Sequence, residues 1–247
     1  MRGIRRMKPL APESPVELFV NGSWVTTFMC TPLSLEELAA GYLCSTGKIS
    51  RLGQIEHIAI TKDMTSIQIK LSESEIMNHD NPVHGPIRWP VSLESLKEKA
   101  VEMFSKAELY RKTGGMHCAA LWTSADIIIT REDVGRHNAV DKVIGRAFLD
   151  GIDLSQAVLL TSGRFAADMV MKAKNAKIPL LVTRSIPTSA AYAFAVKAGI
   201  TLVGRIESGN PIVYSHASRI TVPVSRGGKE CLEELARWSS SSYFLSQ

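Results

Sequence analysis

The sequence predicts an α/β protein with a mainly parallel, helix-covered sheet in its C-terminal part and a smaller α/β unit before it. Three observations carry this. From residue 126 onward, short apolar runs alternate with polar loops and helical stretches, a rhythm that lays helices over a parallel sheet. Residues 16–29 instead show period-two alternation around an Asn-Gly pair. Between the two lies a polar stretch, 72–90, punctuated by proline. The expected division is 1–90 for the smaller unit with its loop and 91–247 for the larger.

Each element has a local reason. Residues 16–20 (VELFV) and 24–29 (WVTTFM) flank Asn21-Gly22, and Asn-Gly favours the positive φ angles of a type I′ hairpin turn. Thr31-Pro32 and SLEELAAGYLCSTG then read as a helix, with Ser34 as N-cap, Glu37 three residues on and Gly47 as the stop. Residues 55–60 and 65–71 read as strands. In 72–90, Asn81-Pro82, Gly85-Pro86 and Trp89-Pro90 deny regular structure, so a mobile or irregular loop is expected. Residues 92–110 read as one amphipathic helix with Leu93, Leu96, Ala100, Met103 and Phe104 on its apolar stripe. Strand 126–130 leads through REDVGRHN into helix 139–149, and strand 157–161 through SGR into helix 165–175. Strand 179–183 leads through RSIPTS into helix 189–198, which Gly199 ends before strand 200–204.

Composition narrows the function. A formal charge of +5 and a pI near 9.0 come from scattered Lys and Arg, with only Arg2, Arg5 and Arg6 clustered. That favours a small anionic ligand or an acidic partner over nucleic acid. The basic start carries no apolar run of signal length, and no stretch approaches the roughly 18 apolar residues of a membrane span, so a cytoplasmic location is expected. Cys30, Cys44, Cys118 and Cys231 include no C-x-x-C. Reduced thiols follow, with neither a zinc ribbon nor a disulfide framework, and no metal site is expected.

In a parallel sheet, ligands bind where strands end, and the loops there are polar. They hold Arg136 and His137; Ser162, Gly163 and Arg164; Arg184, Ser185, Thr188 and Ser189; and Arg205, Ile206, Glu207, Ser208, Gly209 and Asn210. One such loop alone reads as helix capping and surface ion pairing. Four on one edge, each with an arginine and two opening helices, point to a phosphorylated, nucleotide-like ligand. Neither G-x-G-x-x-G nor G-x-x-x-x-G-K-[ST] occurs, so no standard dinucleotide or P-loop site is supported. The segment TGGMHCAA (113–120) adds His117 and Cys118 beside a flexible turn. Neighbours on a strand face opposite ways, so direct contact between those two is not expected. Asp133 and His137 are comparable candidates, while Asp141 and Lys142 read as polar contacts either at the surface or supporting the site from behind.

TGGMHCAAL (113–121), REDVGRHNAVDKVIG (131–145), SGRFAADMVMKA (162–173), IPLLVTRSIPTSAAYAFAVKAGITLVG (178–204) and VYSHASRI (213–220) together resemble the FdhD/NarQ family. VNG (20–22), TP (31–32) and LAAGYL (38–43) extend the resemblance toward the N terminus. It implies a cytidine-deaminase-like three-layer C-terminal domain and a homodimer. It also implies a sulfurtransferase that takes persulfide sulfur from a cysteine desulfurase. The recipient would be the molybdenum bis(molybdopterin guanine dinucleotide) cofactor, before its insertion into the formate dehydrogenase apoenzyme, with GDP a natural mimic. The family's cofactor-binding stretch falls on Arg205–Asn210, where Glu207 departs from a more basic pattern. The family's sulfur-carrying C-x-x-C is replaced by Asn81-Pro82-Val83-His84-Gly85-Pro86. Since His cannot form a persulfide, either Cys118 carries the sulfur, exposed and with its thiolate stabilised, or the protein holds the cofactor without relaying sulfur. A zinc nucleoside deaminase is set aside because H-x-E and P-C-x-x-C are absent.

Overall fold

The computed structural model describes residues 8–72, 85–126 and 128–221. Strands β1 (Ser14–Val20) and β2 (Ser23–Cys30) form the predicted hairpin, with Asn21 at φ 49° and Gly22 at φ 80°. β1 also pairs in parallel with β4 (Ser66–Leu71), which pairs antiparallel with β3 (Ile55–Ile60), giving the order β2-β1-β4-β3. Val16, Leu18, Ile67 and Ile69 alternate inward from this sheet into the core that also holds the apolar face of helix α1 (Leu35–Ser45). Ser34 does not cap α1 as its spacing predicts: it sits at φ 52° and its side chain makes no cap bond. Glu37 is drawn instead to Arg131, which donates to both of its carboxylate oxygens.

Residues 73–84 lie outside the described residues, and with them most of the stretch expected to be an irregular loop. Beyond it, Trp89 packs edge-on to Trp122 at 4.5 Å and donates its indole N–H to the Gln156 carbonyl. The helix predicted over 92–110 is two helices, α2 (Leu93–Lys106) and α3 (Glu108–Thr113), broken at Ala107. The Glu132 carboxylate accepts the Leu109 and Tyr110 N–H groups, which stabilises a fresh helix start there.

The second sheet contains β5 (His117–Trp122), β6 (Ile128–Asp133), β7 (Val158–Thr161), β8 (Leu180–Thr183), β9 (Thr201–Gly204) and β10 (Ile212–Ser215). Its order is β10-β9-β8-β7-β5-β6. The expectation of a mainly parallel sheet is corrected to a mixed one. Only β7-β8 and β8-β9 pair in parallel, whereas β5 runs antiparallel to both β6 and β7, and β10 antiparallel to β9. The connection 123–127 is too short for a crossover, so β6 must fold back on β5. The predicted REDVGRHN loop is correspondingly divided: Arg131–Asp133 complete β6, and Arg136–Asn138 form the first turn of helix α4 (Arg136–Leu149).

Helices cover both faces. Cys118, Ala120, Trp122, Leu160, Val182 and Val203 share one core with α2, while Ala119, Leu121, Leu159, Leu181 and Leu202 share another with α4, α5 (Ala167–Asn175) and α6 (Ser189–Ala198). This second core runs on through α1 into the N-terminal sheet. Asp141 and Lys142, expected at the surface or as supporting polar contacts, are buried, which leaves the second alternative: Asp141 accepts from Lys172 and Ser45, and Lys142 pairs with Asp133 at 2.6 Å. Among the described residues no helix is long and apolar enough to cross a membrane.

Candidate functional site

Because β5 runs against its neighbours, its first residue rather than its last lies beside the carboxyl ends of β6 and β7. His117 pairs with Asp133, and Ala119 with Thr161. His117 therefore meets the loop after β7, where Ser162 Oγ lies 3.2 Å from its Nδ1 and accepts the Cys118 N–H at 3.0 Å. Two buried threonines tie the successive strand-end loops together. Thr161 Oγ1 donates to the Cys118 carbonyl and accepts from the Gly163 N–H; Thr183 Oγ1 donates to the Gly163 carbonyl and accepts from the Ser185 N–H. The loop after β9 joins through Arg205 N to Ser185 O at 2.9 Å and Ile206 N to Thr183 O at 3.2 Å. Above these loops opens a cleft of about 370 Å³ lined by Tyr110, the Gly114–Met116 turn, His117, Ser162 and Arg184.

The charges around this cleft are arranged unevenly. Arg184 stacks 5.4 Å from the Phe104 ring, donates from Nη1 to the Tyr110 hydroxyl at 2.7 Å, and pairs through Nε with Glu207 at 2.7 Å. Arg136, the first residue of α4, lies over Gly163 so closely that a Cβ there would sit 3.0 Å from the Arg136 Cβ. Its Nε is buried with no hydrogen-bond partner, a cost that is relieved when an acceptor arrives. Burial, then Arg136 and then His137, push the His117 imidazole below its ordinary pKa, with Asp133 opposing. His137 Nε2 lies 2.8 Å from Asp168.

The structure thus brings together His117, Arg136, Ser162, Gly163 and Arg184. Arg164 and Arg205 end exposed, the latter at φ 56°. Thr188 is the N-cap of α6, accepting from the Ala191 N–H at 3.2 Å, and Ser189 opens that helix exposed. Ile206 is buried in the sheet core, while Ser208, Gly209 and Asn210 form a turn in which Ser208 donates to the Arg205 carbonyl. Tyr110 escaped the sequence reading because nothing in a helix tail marks it as a partner of an arginine 74 positions away.

Cys118 does not meet the conditions for a sulfur nucleophile. It is fully buried on the α2 side of the sheet, and desolvation pushes its thiol up to about 12. Cys30 and Cys44 are buried too, each also raised to about 12, chiefly by desolvation. Cys231 lies outside the described residues.

Comparison with known proteins bears on the family and the fold. The FdhD/NarQ family profile matches residues 11–88 and 73–221. The chain is 31% identical over 235 residues to a sulfur carrier protein FdhD of Wolinella succinogenes, covering 84% of this chain and 81% of that one. It is 32% identical over 220 residues to the protein of the same description from Methanothermobacter thermautotrophicus, covering 83% and 88%. A crystal structure described as a candidate formate dehydrogenase accessory protein from Desulfotalea psychrophila superimposes with a TM-score of 0.75 at 28% identity, covering 86% of this chain and 90% of that one.

Proposed function

This chain belongs to the FdhD/NarQ family, and from that we propose that it is a formate dehydrogenase accessory protein. Its cargo is the molybdenum bis(molybdopterin guanine dinucleotide) cofactor, held at the strand-end cleft and passed to the dehydrogenase apoenzyme. The observation that carries this reading is the buried, unpartnered Nε of Arg136, whose side chain packs on Gly163, next to the Ser162 that lines the cleft with Arg184. An arginine left unsatisfied there fits a phosphate oxygen, and Arg184, which lines the cleft, fits a second oxygen of the cargo's pyrophosphate groups. Thr188, Ser189 and the Arg205–Asn210 turn border the same sheet edge and are assigned to the outer part of the cargo. The family reading adds a cytidine-deaminase-like C-terminal half and a homodimer.

Calorimetric titration with GDP tests the location. Arg136→Ala with Arg184→Ala should weaken GDP binding at least about tenfold, the loss of roughly one charge-assisted hydrogen bond. Added salt should weaken it further in wild type than in the variant. Equal affinities in the two proteins reject this site.

A second reading, relay of sulfur from a cysteine desulfurase to the cofactor, is favoured by the sulfur-carrier description of the relatives. The burial of all three described thiols supports holding over relaying. Incubation with a cysteine desulfurase and radiolabelled cysteine separates the two. Holding predicts no protein-bound persulfide label in wild type; label that disappears in Cys118→Ala or Cys231→Ala establishes relay.

A further inference from the structure

We infer that His117 is a hydrogen-bond donor aimed at the ligand, a neutral imidazole with its proton on Nε2, and that Ser162 is the residue that positions it so. This rests on the reading of the cleft as a site for a phosphorylated ligand. The argument is one of hydrogen-bond supply. Ser162 Oγ has one proton to give, and it already accepts the N–H of Cys118 at 3.0 Å. Its other side-chain partners are His117 Nδ1 at 3.2 Å and the Cys118 thiol, whose sulfur is only a weak acceptor. Of those two acceptors the ring nitrogen is the stronger, so the hydroxyl proton is assigned to Nδ1, and a ring nitrogen that accepts carries no proton of its own.

A neutral ring then bears its proton on Nε2, for which no described residue provides a partner, while the ring lines the cleft. The surrounding charges act in the same sense. From α4, Arg136 and His137 disfavour a positive ring, as does burial itself; from β6, Asp133 opposes them more weakly. Arg184 lines the same cleft from the loop after β8, paired there with Glu207. The two arginines supply the charge for a phosphate, and His117 supplies a directional, uncharged donor for an ester or carbonyl oxygen of the same ligand.

The nitrogen-15 correlation spectrum of ring-labelled protein tests the tautomer without any ligand. Wild type at pH 7 should show the Nε2–H pattern for His117, and Ser162→Ala a mixture. An Nδ1–H ring or a doubly protonated ring in wild type overturns the inference, as does an unchanged pattern in Ser162→Ala. GDP titration tests the donor role. His117→Gln, which keeps an N–H near the Nε2 position, should bind within about threefold of wild type, and His117→Asn about tenfold more weakly. Equal losses in both variants overturn it. If GDP fails to bind any of the proteins, the cofactor reading of the cleft falls, while the ring spectrum still decides the arrangement of Ser162 and His117.

Discussion

Gly41 of α1 and Gly145 of α4 cross backbone against backbone. A Cβ on Gly41 would lie 1.8 Å from the Asp141 carbonyl oxygen, and one on Gly145 would lie 1.8 Å from that of Glu37. No side chain fits between the two helices at that point. The crossing brings Glu37 to Arg131 and Ser45 to Asp141, so the N-terminal unit is fastened to the helix whose first turn borders the cleft.

Gly145→Ala therefore sets two effects against each other. Alanine favours the helix by about 1 kcal/mol, but the obstacle is backbone, which cannot swing aside as a flexible side chain does. Overpacking of this kind costs typically about 1–3 kcal/mol, sometimes more, and the 1.8 Å approach lies at its severe end. A net loss of about 2 kcal/mol is expected from urea denaturation, and a variant as stable as wild type would refute the crossing.

Lys142 is fully buried, with Nζ 2.6 Å from Asp133 Oδ2 and 2.9 Å from the Thr31 carbonyl. Asp133 in turn accepts from the Thr31 and Gly135 N–H groups and from the Asn138 side chain. Lys142→Met keeps the volume but strands the carboxylate, a change worth about 3–5 kcal/mol when a buried pair is broken from one side. Denaturation should show that loss. GDP affinity should fall as well, because Gly135 and Asn138 set the start of α4 from which Arg136 projects. Lys142→Met with Asp133→Asn should recover part of the stability, and strict additivity of the two changes would exclude the pair as the cause.

These residues show where the sequence was legible. Asn21-Gly22 announced its hairpin because turn chemistry is local, and the arginines at strand ends could be grouped because strand ends share an edge. Strand direction was not local information: HCAALW reads the same whichever way it runs, and only the short 123–127 link fixes β5 as antiparallel. That reversal is what places His117 at the cleft. The burial of Lys142 stayed open because a lysine ordinarily marks a surface; its partner Asp133, nine positions earlier, is brought to it by the turn into α4. Glu132 likewise splits a predicted helix from across the sheet, through contacts with no trace in the helix's own periodicity.

The thiols give a prediction about alkali. Cys30, Cys44 and Cys118 are each raised from 9.0 to about 12 in the folded protein. At pH 8 a thiol of pKa 12 is ionised in about one molecule in ten thousand, so native alkylation should leave all three unmodified while denaturant exposes them. Between pH 9 and 12 the unfolded chain loses these protons and the native one keeps them. The native state then binds more protons than the unfolded, so stability falls as pH rises through that window. Replacing Cys118 with Ala should make the fall shallower; an unchanged alkaline slope would show that this thiol is not protected.

The Arg184–Glu207 pair leads to the last prediction. Glu207 lies 2.7 Å from Arg184 Nε, so the chain's own carboxylate occupies one edge of a guanidinium that lines the cleft. A phosphate seeking that edge must displace Glu207 or accept from the remaining N–H groups, and in either case it meets like charge. The pair is partly exposed, with 50% and 31% of the two side chains accessible, so solvent screens it and its strength is at most about 1 kcal/mol. Glu207→Gln should accordingly tighten GDP binding by about threefold, since 1.4 kcal/mol is tenfold. The same substitution in an Arg184→Ala background should change affinity much less, because the competitor and the contested group act through each other. Equal tightening in both backgrounds would assign the effect to net charge alone, and looser binding in Glu207→Gln would mean that Glu207 orients Arg184 for the ligand instead of competing for it.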